Sequence, residues 1–134
     1  MEAVVRYIKD EYTTDASLVE VGVGRRDETA RRLAGEGYDV TVTDVRDVGG
    51  TVGDGVRFVR DDVRHPNTTV YENAGLVYAL RPPYEIQAAV AEVARSVGAD
   101  LLVAPLADEG VSVEARLVNR DGRAFFVRRS GGDG

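Results

Sequence analysis

The stretch "LVEVGVGRRDETARRLA", residues 18–34, predicts a strand, a glycine turn and a helix in immediate succession. An apolar run leads into Gly22 and Gly24, and the apolar residues after the turn recur at helical spacing. Glycine in such a turn allows a positive φ and lets a ligand approach the backbone closely. The turn therefore predicts a nucleotide-type cofactor site or, as the simpler alternative, a tight strand-to-helix connection that binds nothing.

The rest of the chain continues this alternation of strands and helices. Helical periodicity predicts helices over residues 3–12, 27–36 and 84–97. Apolar or alternating runs predict strands over residues 17–22, 38–44, 56–63, 75–81 and 99–106, and a hairpin around "NRDG" at 119–122. The order predicts an α/β fold, a Rossmann-like three-layer αβα sandwich with a mostly parallel sheet and a terminal antiparallel hairpin. We expect a single domain over residues 1–130 and a disordered tail over 131–134.

The composition is that of an ordinary soluble globular protein. The chain has 134 residues and no cysteine, and His65 is its single histidine, so thiolate and multi-histidine metal sites are excluded. No apolar run reaches the roughly 18 to 20 residues of a membrane span, and the N-terminus lacks the order of a signal peptide. We therefore expect a cytoplasmic protein with neither a bound metal nor a membrane partner.

The charge pattern is typical of proteins from a salt-rich habitat and argues against nucleic acid as a partner. The net charge is −6, and Lys9 is the sole lysine among 17 basic residues. Acidity combined with lysine depletion resembles proteins of salt-loving organisms, whose surface carboxylates keep the chain soluble. No dense basic patch is visible, so nucleic acid is an unlikely partner. A small-molecule substrate or a protein partner remains, and the oligomeric state is left open.

Asp44 strengthens the prediction of a cofactor site. It ends the second predicted strand, about twenty residues beyond the glycines, where a carboxylate accepts hydrogen bonds from ribose hydroxyls. Sites for dinucleotides and for S-adenosylmethionine (SAM) share this acid, so it does not choose between them. A purely capping role for Asp44 is the simpler alternative.

The charges of the turn favour a ligand without phosphate. Asp27 and Glu28 open the helix, suit its dipole and would oppose a pyrophosphate there. Arg25 and Arg26 offset part of this effect. Glu20 adds an acid just before the turn, so a ligand that carries a sulfonium cation fits the expected charges better.

Two further carboxylates follow the third strand. Asp61 and Asp62 would lie at the carboxyl edge of the sheet, near the crevice where open α/β sheets bind ligands. One of them could accept a hydrogen bond from an adenine amino group. The alternative is a solvated acidic turn paired with Arg60 or Arg64.

These motifs together resemble a known class of enzymes. "EVGVG", "VTVTD", "RDDV" and "LRPPYE" come in the order and spacing of the motifs of class I SAM-dependent methyltransferases. More narrowly, the chain resembles a small uncharacterised archaeal protein family with that Rossmann-like fold, in which "RPP" and "PL…E" recur after the fourth and fifth strands. The resemblance implies SAM held by Glu20, Gly22, Gly24, Asp44 and an acid at Asp61 or Asp62.

The chain departs from the methyltransferase pattern at two places. Arg26 stands where the turn usually has a last glycine, and "RPPY" at 81–84 replaces the Asn/Asp-Pro-Pro-aromatic motif of amino-methylating enzymes. Arg81 has no acceptor atom, so we expect it to grip a carboxylate or phosphate of the substrate. Tyr84 would line the pocket or begin its helix as a core residue, and Glu109 would pair with Arg81 or act as a base.

The sequence thus predicts a SAM-binding, methyltransferase-like protein that methylates a small anionic substrate, with Arg81, Tyr84 and Glu109 as catalytic candidates. One alternative is a non-catalytic module that binds SAM or a nucleotide and acts through a protein partner. Another is an NAD(P)-binding domain of the oxidoreductase type.

Overall fold

A computed structural model describes residues 1–106 and 110–131, and its elements follow the predicted alternation. The helices are α1 (Glu2–Glu11), α2 (Glu28–Gly35) and α3 (Tyr84–Val97). The strands are β1 (Ser17–Val21), β2 (Asp39–Asp44), β3 (Val56–Arg60), β4 (Ala74–Leu80), β5 (Asp100–Ala104), β6 (Arg116–Arg120) and β7 (Arg123–Arg128). Two 3₁₀ turns, Gly49–Thr51 and Thr68–Val70, lie in the connections on either side of β3. Among these described residues, no helix has the length and apolarity to cross a membrane.

The seven strands form one sheet in the order β3-β2-β1-β4-β5-β7-β6. The first five are parallel, β7 is antiparallel to β5, and β6 is antiparallel to β7. The predicted, mostly parallel sheet with a terminal antiparallel hairpin is therefore confirmed. The strand order changes direction between β1 and β4, which creates a crevice outside the carboxyl ends of these two strands.

Helices cover both faces of this sheet, as the sequence predicted. On one face, Ile8 of α1 and Leu33 of α2 pack against strand residues such as Leu76. On the other face, Val93 of α3 packs with residues such as Leu101. The result is the predicted three-layer αβα arrangement, in which the inner strand β5 is buried along its whole length.

The hairpin closes through the expected two-residue turn. Asp121 and Gly122 both have positive φ, at 53° and 77°, as a tight hairpin turn of the primed type requires. Beyond the turn, Phe125 is fully buried in the core beneath α1. Arg120 reaches α1 directly through an ion pair with Asp10 at 2.7 Å. The hairpin is thus fixed against the first helix of the chain.

The sequence pattern missed a buried amide on α3. Gln87 is fully buried, although a polar residue is usually expected on the exposed face of such a helix. Its side chain donates to the Gly110 carbonyl at 3.4 Å and accepts from the Ser112 amide at 2.9 Å. Gln87 therefore ties the segment that follows β5 to α3. Most of the predicted tail, residues 132–134, lies outside the described residues.

Candidate cofactor and substrate site

A cavity of about 460 Å³ opens at the carboxyl ends of β1 and β4, at the point where the strand order reverses. Open α/β sheets bind their ligands at this position. The wall combines the glycine turn with residues that follow three other strands, namely Glu20, Gly22, Val23, Gly24, Arg25, Arg26, Arg46, Leu80, Arg81 and Leu106.

The glycine turn presents open backbone to this cavity. Gly22 and Gly24 have φ values of 74° and 57°, a conformation that other residues rarely adopt. A Cβ atom on Gly22 would meet nothing within 4 Å, whereas one on Gly24 would lie 3.5 Å from Nη2 of Arg46. The amides of Gly22 and Val23 donate to the Thr43 carbonyl at 2.9 and 3.0 Å. The turn is therefore held from behind by β2 and leaves space for a ligand over Gly22.

Asp44 lies behind the glycine turn. Its carboxylate accepts from the Gly24 amide at 2.8 Å and from the Arg46 amide at 2.9 Å. The Arg46 guanidinium also contacts it, with Nε 3.4 Å from Oδ1. Asp44 is buried and is absent from the residues that line the cavity. It thus anchors the turn and holds Arg46 near the glycines, while a carboxylate retains acceptor capacity for one more donor.

Glu20 brings a buried carboxyl group to the floor of the cavity. It is 2% exposed and pairs in register with Tyr78 across β1 and β4. Burial raises the pKa of Glu20 to about 8. The nearby Tyr78 hydroxyl lowers this pKa in part, although the two side chains do not form a hydrogen bond of normal geometry. Oε1 of Glu20 has no hydrogen-bond partner among the described residues. Buried polar atoms are nearly always satisfied, so this acceptor fits a donor group of a bound cofactor.

Asp27 occupies the N-cap position of α2, but its carboxylate does not cap the helix. Its side chain makes no capping hydrogen bond with the helix. Instead, Oδ2 accepts from the Gly53 amide at 2.7 Å, and Oδ1 lies 3.2 Å from Nε of Arg31. Asp27 therefore fastens the loop after β2 to the start of α2. Neither Asp27 nor the exposed Glu28 lines the cavity.

The charged wall of the cavity consists of arginines. Arg46 is paired with Asp44, whereas Arg25, Arg26 and Arg81 make no ion pair with any residue that the structure describes. The sequence predicted a turn that opposes phosphate. In the structure the described wall is rich in arginine and Asp27 is bound to the neighbouring loop, so the acids at this turn oppose a phosphate less than the sequence suggested.

Arg81 reaches the cavity from a strained backbone. Its φ is 51°, in the left-handed region that non-glycine residues seldom adopt. Its amide donates to the Ala104 carbonyl of β5 at 2.7 Å, which fixes the end of β4. Strain of this kind persists where the surrounding structure enforces it, and such positions concentrate at binding sites.

The other predicted acids lie elsewhere. Asp61 accepts from the Asn67 amide at 2.9 Å and from the Tyr71 hydroxyl at 2.7 Å, so it organises the loop after β3. Asp62 accepts from the Arg64 amide at 3.0 Å and faces the Arg64 guanidinium at 3.7 Å. This is the alternative that the sequence offered for Asp62. Neither carboxylate lines the cavity.

Of the catalytic candidates that the structure describes, Arg81 lies in the cavity wall and Tyr84 does not. Tyr84 begins α3 and is 55% exposed, so it neither lines the cavity nor belongs to the core. Glu109 lies outside the described residues. Only Arg81 is placed in the wall.

Sequence reasoning also missed members of the wall. Arg46 was not predicted, although its position two residues after Asp44 places it at the end of β2 beside the turn. Leu80 ends β4, Leu106 follows β5, and both contribute apolar surface to the wall. The sequence did contain a general indication of these wall residues, because residues at the carboxyl ends of parallel strands lie along one edge of the sheet.

A larger cavity, of about 580 Å³, lies at the opposite edge of the sheet around the start of β5. Arg129 on its wall is already paired with Glu11 and Asp100. Arg128 donates to the Ala91 carbonyl at 2.9 Å. The glycines on its wall, Gly98 and Gly131, do not join a strand to the start of a helix, so size alone does not make it the better cofactor site.

Comparison with known sequences identifies close relatives. The profile of the Uncharacterised protein family (UPF0146) matches residues 1–130. The UPF0146 protein of Archaeoglobus fulgidus is 44% identical over 129 residues, which cover 96% of this chain and 95% of the relative. A UPF0146 protein of Halobacterium salinarum is 50% identical over 115 residues, which cover 84% of this chain and 86% of the relative.

Comparison with solved structures identifies the fold. An RNA methyltransferase from Salinibacter ruber, solved with S-adenosyl-L-homocysteine, matches with a TM-score of 0.69 at 14% identity. The match covers 100% of this chain and 94% of that protein. Several other SAM-dependent methyltransferases match as well, and all of these likenesses show a methyltransferase-type Rossmann-like fold.

Proposed function

The chain belongs to the Uncharacterised protein family (UPF0146), and on that premise we propose that it binds SAM and methylates a small anionic substrate. One observation carries the proposal, which is the cavity that combines the open glycine turn with the unpaired buried oxygen of Glu20. The methyltransferase-type fold supports SAM as the cofactor, because solved neighbours of this fold hold SAM or its product.

In this proposal each wall residue has a separate task. The backbone at Gly22 allows close approach of the cofactor, and Glu20 accepts a hydrogen bond from one of its donor groups. Asp44 keeps the turn in place from behind. A ribose hydroxyl would reach its remaining acceptor site only past the turn, because Asp44 is not part of the described cavity wall. Bound SAM would supply a methyl group activated by its sulfonium. Arg81 binds the anionic group of the substrate and orients it, which is the main requirement of an in-line transfer.

The arginines also favour a second candidate. Arg25 and Arg26 stand between the glycine turn and α2, where dinucleotide-binding proteins place a pyrophosphate. Their positive charge suits NAD or NADP better than the sequence alone suggested. An oxidoreductase-type dinucleotide site is therefore the alternative that the same cavity supports.

Calorimetric titration with SAM, S-adenosylhomocysteine (SAH), NAD and NADP separates these candidates. We expect SAM and SAH to bind, and we expect Asp44→Ala to weaken both by about tenfold, about 1.4 kcal/mol, because the turn loses its anchor. Asp62→Ala is the matched control, since Asp62 contacts only its own loop, and its affinities should equal those of the wild type.

The possible results have distinct meanings. Failure of all four ligands to bind the folded protein would refute both candidates. Binding of NADP without SAM would establish the second one. Binding of SAM without transfer of labelled methyl groups to a cell extract would leave a cofactor-binding module that acts through a protein partner. Unchanged affinities in Asp44→Ala would show that the pocket lies elsewhere.

A further inference from the structure

The charge of the cavity wall is unbalanced. Arg25, Arg26 and Arg81 have no ion-pair partner among the described residues, and the charge of Arg46 is already met by Asp44. Glu20 is the one acid in the described wall, and it is buried where a carboxyl group favours its neutral form. The described wall therefore presents about three uncompensated positive charges to whatever binds there.

The positive charge of this wall weakens the binding of SAM relative to that of SAH when no anion is present. SAM carries a sulfonium, an ammonium and a carboxylate, so its net charge is positive, whereas SAH lacks the sulfonium charge and is neutral overall. Arg25 and Arg26 are exposed and Arg81 is half-buried, so like charges at this wall repel each other with only partial screening by solvent. The carboxylate of the cofactor can meet one guanidinium, which leaves the others without a counter-charge.

Resting on the proposed function, we infer that the substrate is a phosphorylated small molecule whose phosphate binds among Arg25, Arg26 and Arg81, and that this phosphate promotes SAM binding. A phosphate monoester carries close to two negative charges at neutral pH and three acceptor oxygens. Guanidinium groups bind such a group in bidentate fashion, more strongly than they bind a monoanion. The phosphate would stand as a counter-charge between the arginines and the sulfonium.

A phosphate that promotes SAM binding has a thermodynamic consequence that binding measurements can detect. If phosphate strengthens SAM binding, then SAM strengthens phosphate binding by the same factor. SAH gains much less from the phosphate, because it brings no sulfonium charge into the cavity. The coupling is therefore expected to distinguish the cofactor from its demethylated product.

The test is calorimetric titration of SAM and of SAH, each with and without inorganic phosphate, at a constant ionic strength set with KCl. We expect phosphate to lower the Kd of SAM by about fivefold or more, at the lower end of usual coupling factors. The Kd of SAH should change by less than about twofold. Constant ionic strength separates a bound phosphate from general screening.

Variants locate the effect. Arg81→Gln and Arg26→Gln should each reduce the coupling and should weaken phosphate binding when phosphate is titrated alone. Arg64→Gln is the matched control, because Arg64 is an exposed arginine paired with Asp62 outside the cavity, and it should behave as the wild type. Circular dichroism of each variant verifies that the fold is retained.

Each contrary result is informative. Equal effects of phosphate on SAM and SAH would overturn the inference and leave the proposed function intact. A phosphate that competes with SAM would also overturn it, because the arginines would then belong to the cofactor's own anion. Failure of SAM and SAH to bind under any condition would remove the proposed function and the inference together.

Discussion

At the scale of single residues, Glu20 is the most unusual feature of the molecule. A carboxyl group lies 2% exposed in the middle of the sheet, on the central strand β1. Charging it requires a negative charge in a medium of low polarity, and this cost raises its pKa to about 8. The nearby carboxylates of Asp27 and Glu28 raise the pKa further. The cavity therefore contains a group whose protonation changes near neutral pH.

The raised pKa of Glu20 predicts that the protein loses stability as the pH rises. Between the unfolded pKa of about 4.5 and the folded pKa of about 8, the folded state holds a proton that the unfolded state has released. The contribution of Glu20 to the free energy of unfolding should fall across this window by at most about 1.4 kcal/mol per pH unit, and then level off. Urea unfolding of wild type and Glu20→Gln from pH 5 to 8.5 measures the difference.

The control for this experiment is Glu28→Gln, which removes an exposed carboxylate close to the same site. We expect its stability to follow that of the wild type across the pH range. If Glu20→Gln also runs parallel to the wild type at every pH, Glu20 is ionised in the folded protein and the assignment is wrong.

At the scale of elements, the loop between β2 and β3 depends on one long-range contact. The Gly53 amide donates to Asp27, which begins the turn into α2, and Arg31 completes the arrangement. A Cβ atom on Gly53 would lie only 2.2 Å from Cδ of Arg31, so the loop backbone packs closely on this side chain. The loop and the helix are thus joined at the side of the candidate site.

Removal of the Asp27 carboxylate should loosen this junction. We expect Asp27→Ala to lower the free energy of unfolding by about 1 to 3 kcal/mol, because the partly buried Gly53 amide loses a charged acceptor. Asp27→Asn retains an acceptor and should lose less than half as much. Denaturant unfolding gives both values, and an equal loss in the two variants would contradict the role assigned to the Gly53 contact.

This junction also shows why local sequence reasoning succeeded for the elements and failed for some side chains. The strand at 17–21 and the helix at 28–35 follow from periodicity, which is a property of neighbouring residues. Asp27 resembles a helix cap locally, but its partner lies 26 residues away along the chain. The buried Gln87 was missed for the same reason, since its partners are 23 and 25 residues distant.

The candidate site was predictable in part for a related reason. Gly22 and Gly24 belong to a local motif, and Glu20 and Arg81 flank strand ends that converge on one edge. The position of a residue at that edge does not fix the direction of its side chain. Asp61 lies at the predicted carboxyl edge of the sheet, but its carboxylate accepts hydrogen bonds within its own loop. No local sequence pattern indicates this direction of the side chain.

At the scale of the whole molecule, Asp100 joins the two ends of the chain. Its carboxylate accepts from the Tyr12 hydroxyl after α1, from the Arg129 guanidinium at 3.2 Å and from the Ser130 amide at 2.7 Å. Burial and the hydrogen bond to Asp100 raise the pKa of Tyr12, so the phenol remains a donor. Arg129 also packs over the Tyr12 ring. The fold is therefore closed at the edge opposite the candidate site.

Loss of the contacts of Asp100 should lower the stability of the fold without changing the affinity for ligands. We expect Asp100→Ala to lower the free energy of unfolding by about 2 to 3 kcal/mol, since several donors lose one shared acceptor. The Kd of SAM should change by less than about twofold, because Asp100 lies at the opposite end of β5. Thermal unfolding and calorimetry check the two expectations. A large change in the Kd with unaltered stability would reverse the assigned roles.

The charges on the two outer strands of the sheet have a consequence for self-association. Strands β3 and β6 bound the sheet, and each carries two arginines, Arg57 and Arg60 on one and Arg116 and Arg120 on the other. Unpaired strand edges invite pairing with other chains, and natural sheets often discourage this with edge lysines. In a chain with a single lysine, arginine takes that protective role. Concentrated salt screens the charges of these arginines and weakens the protection that they give. The short length of both strands, five residues each, is then the remaining barrier to aggregation.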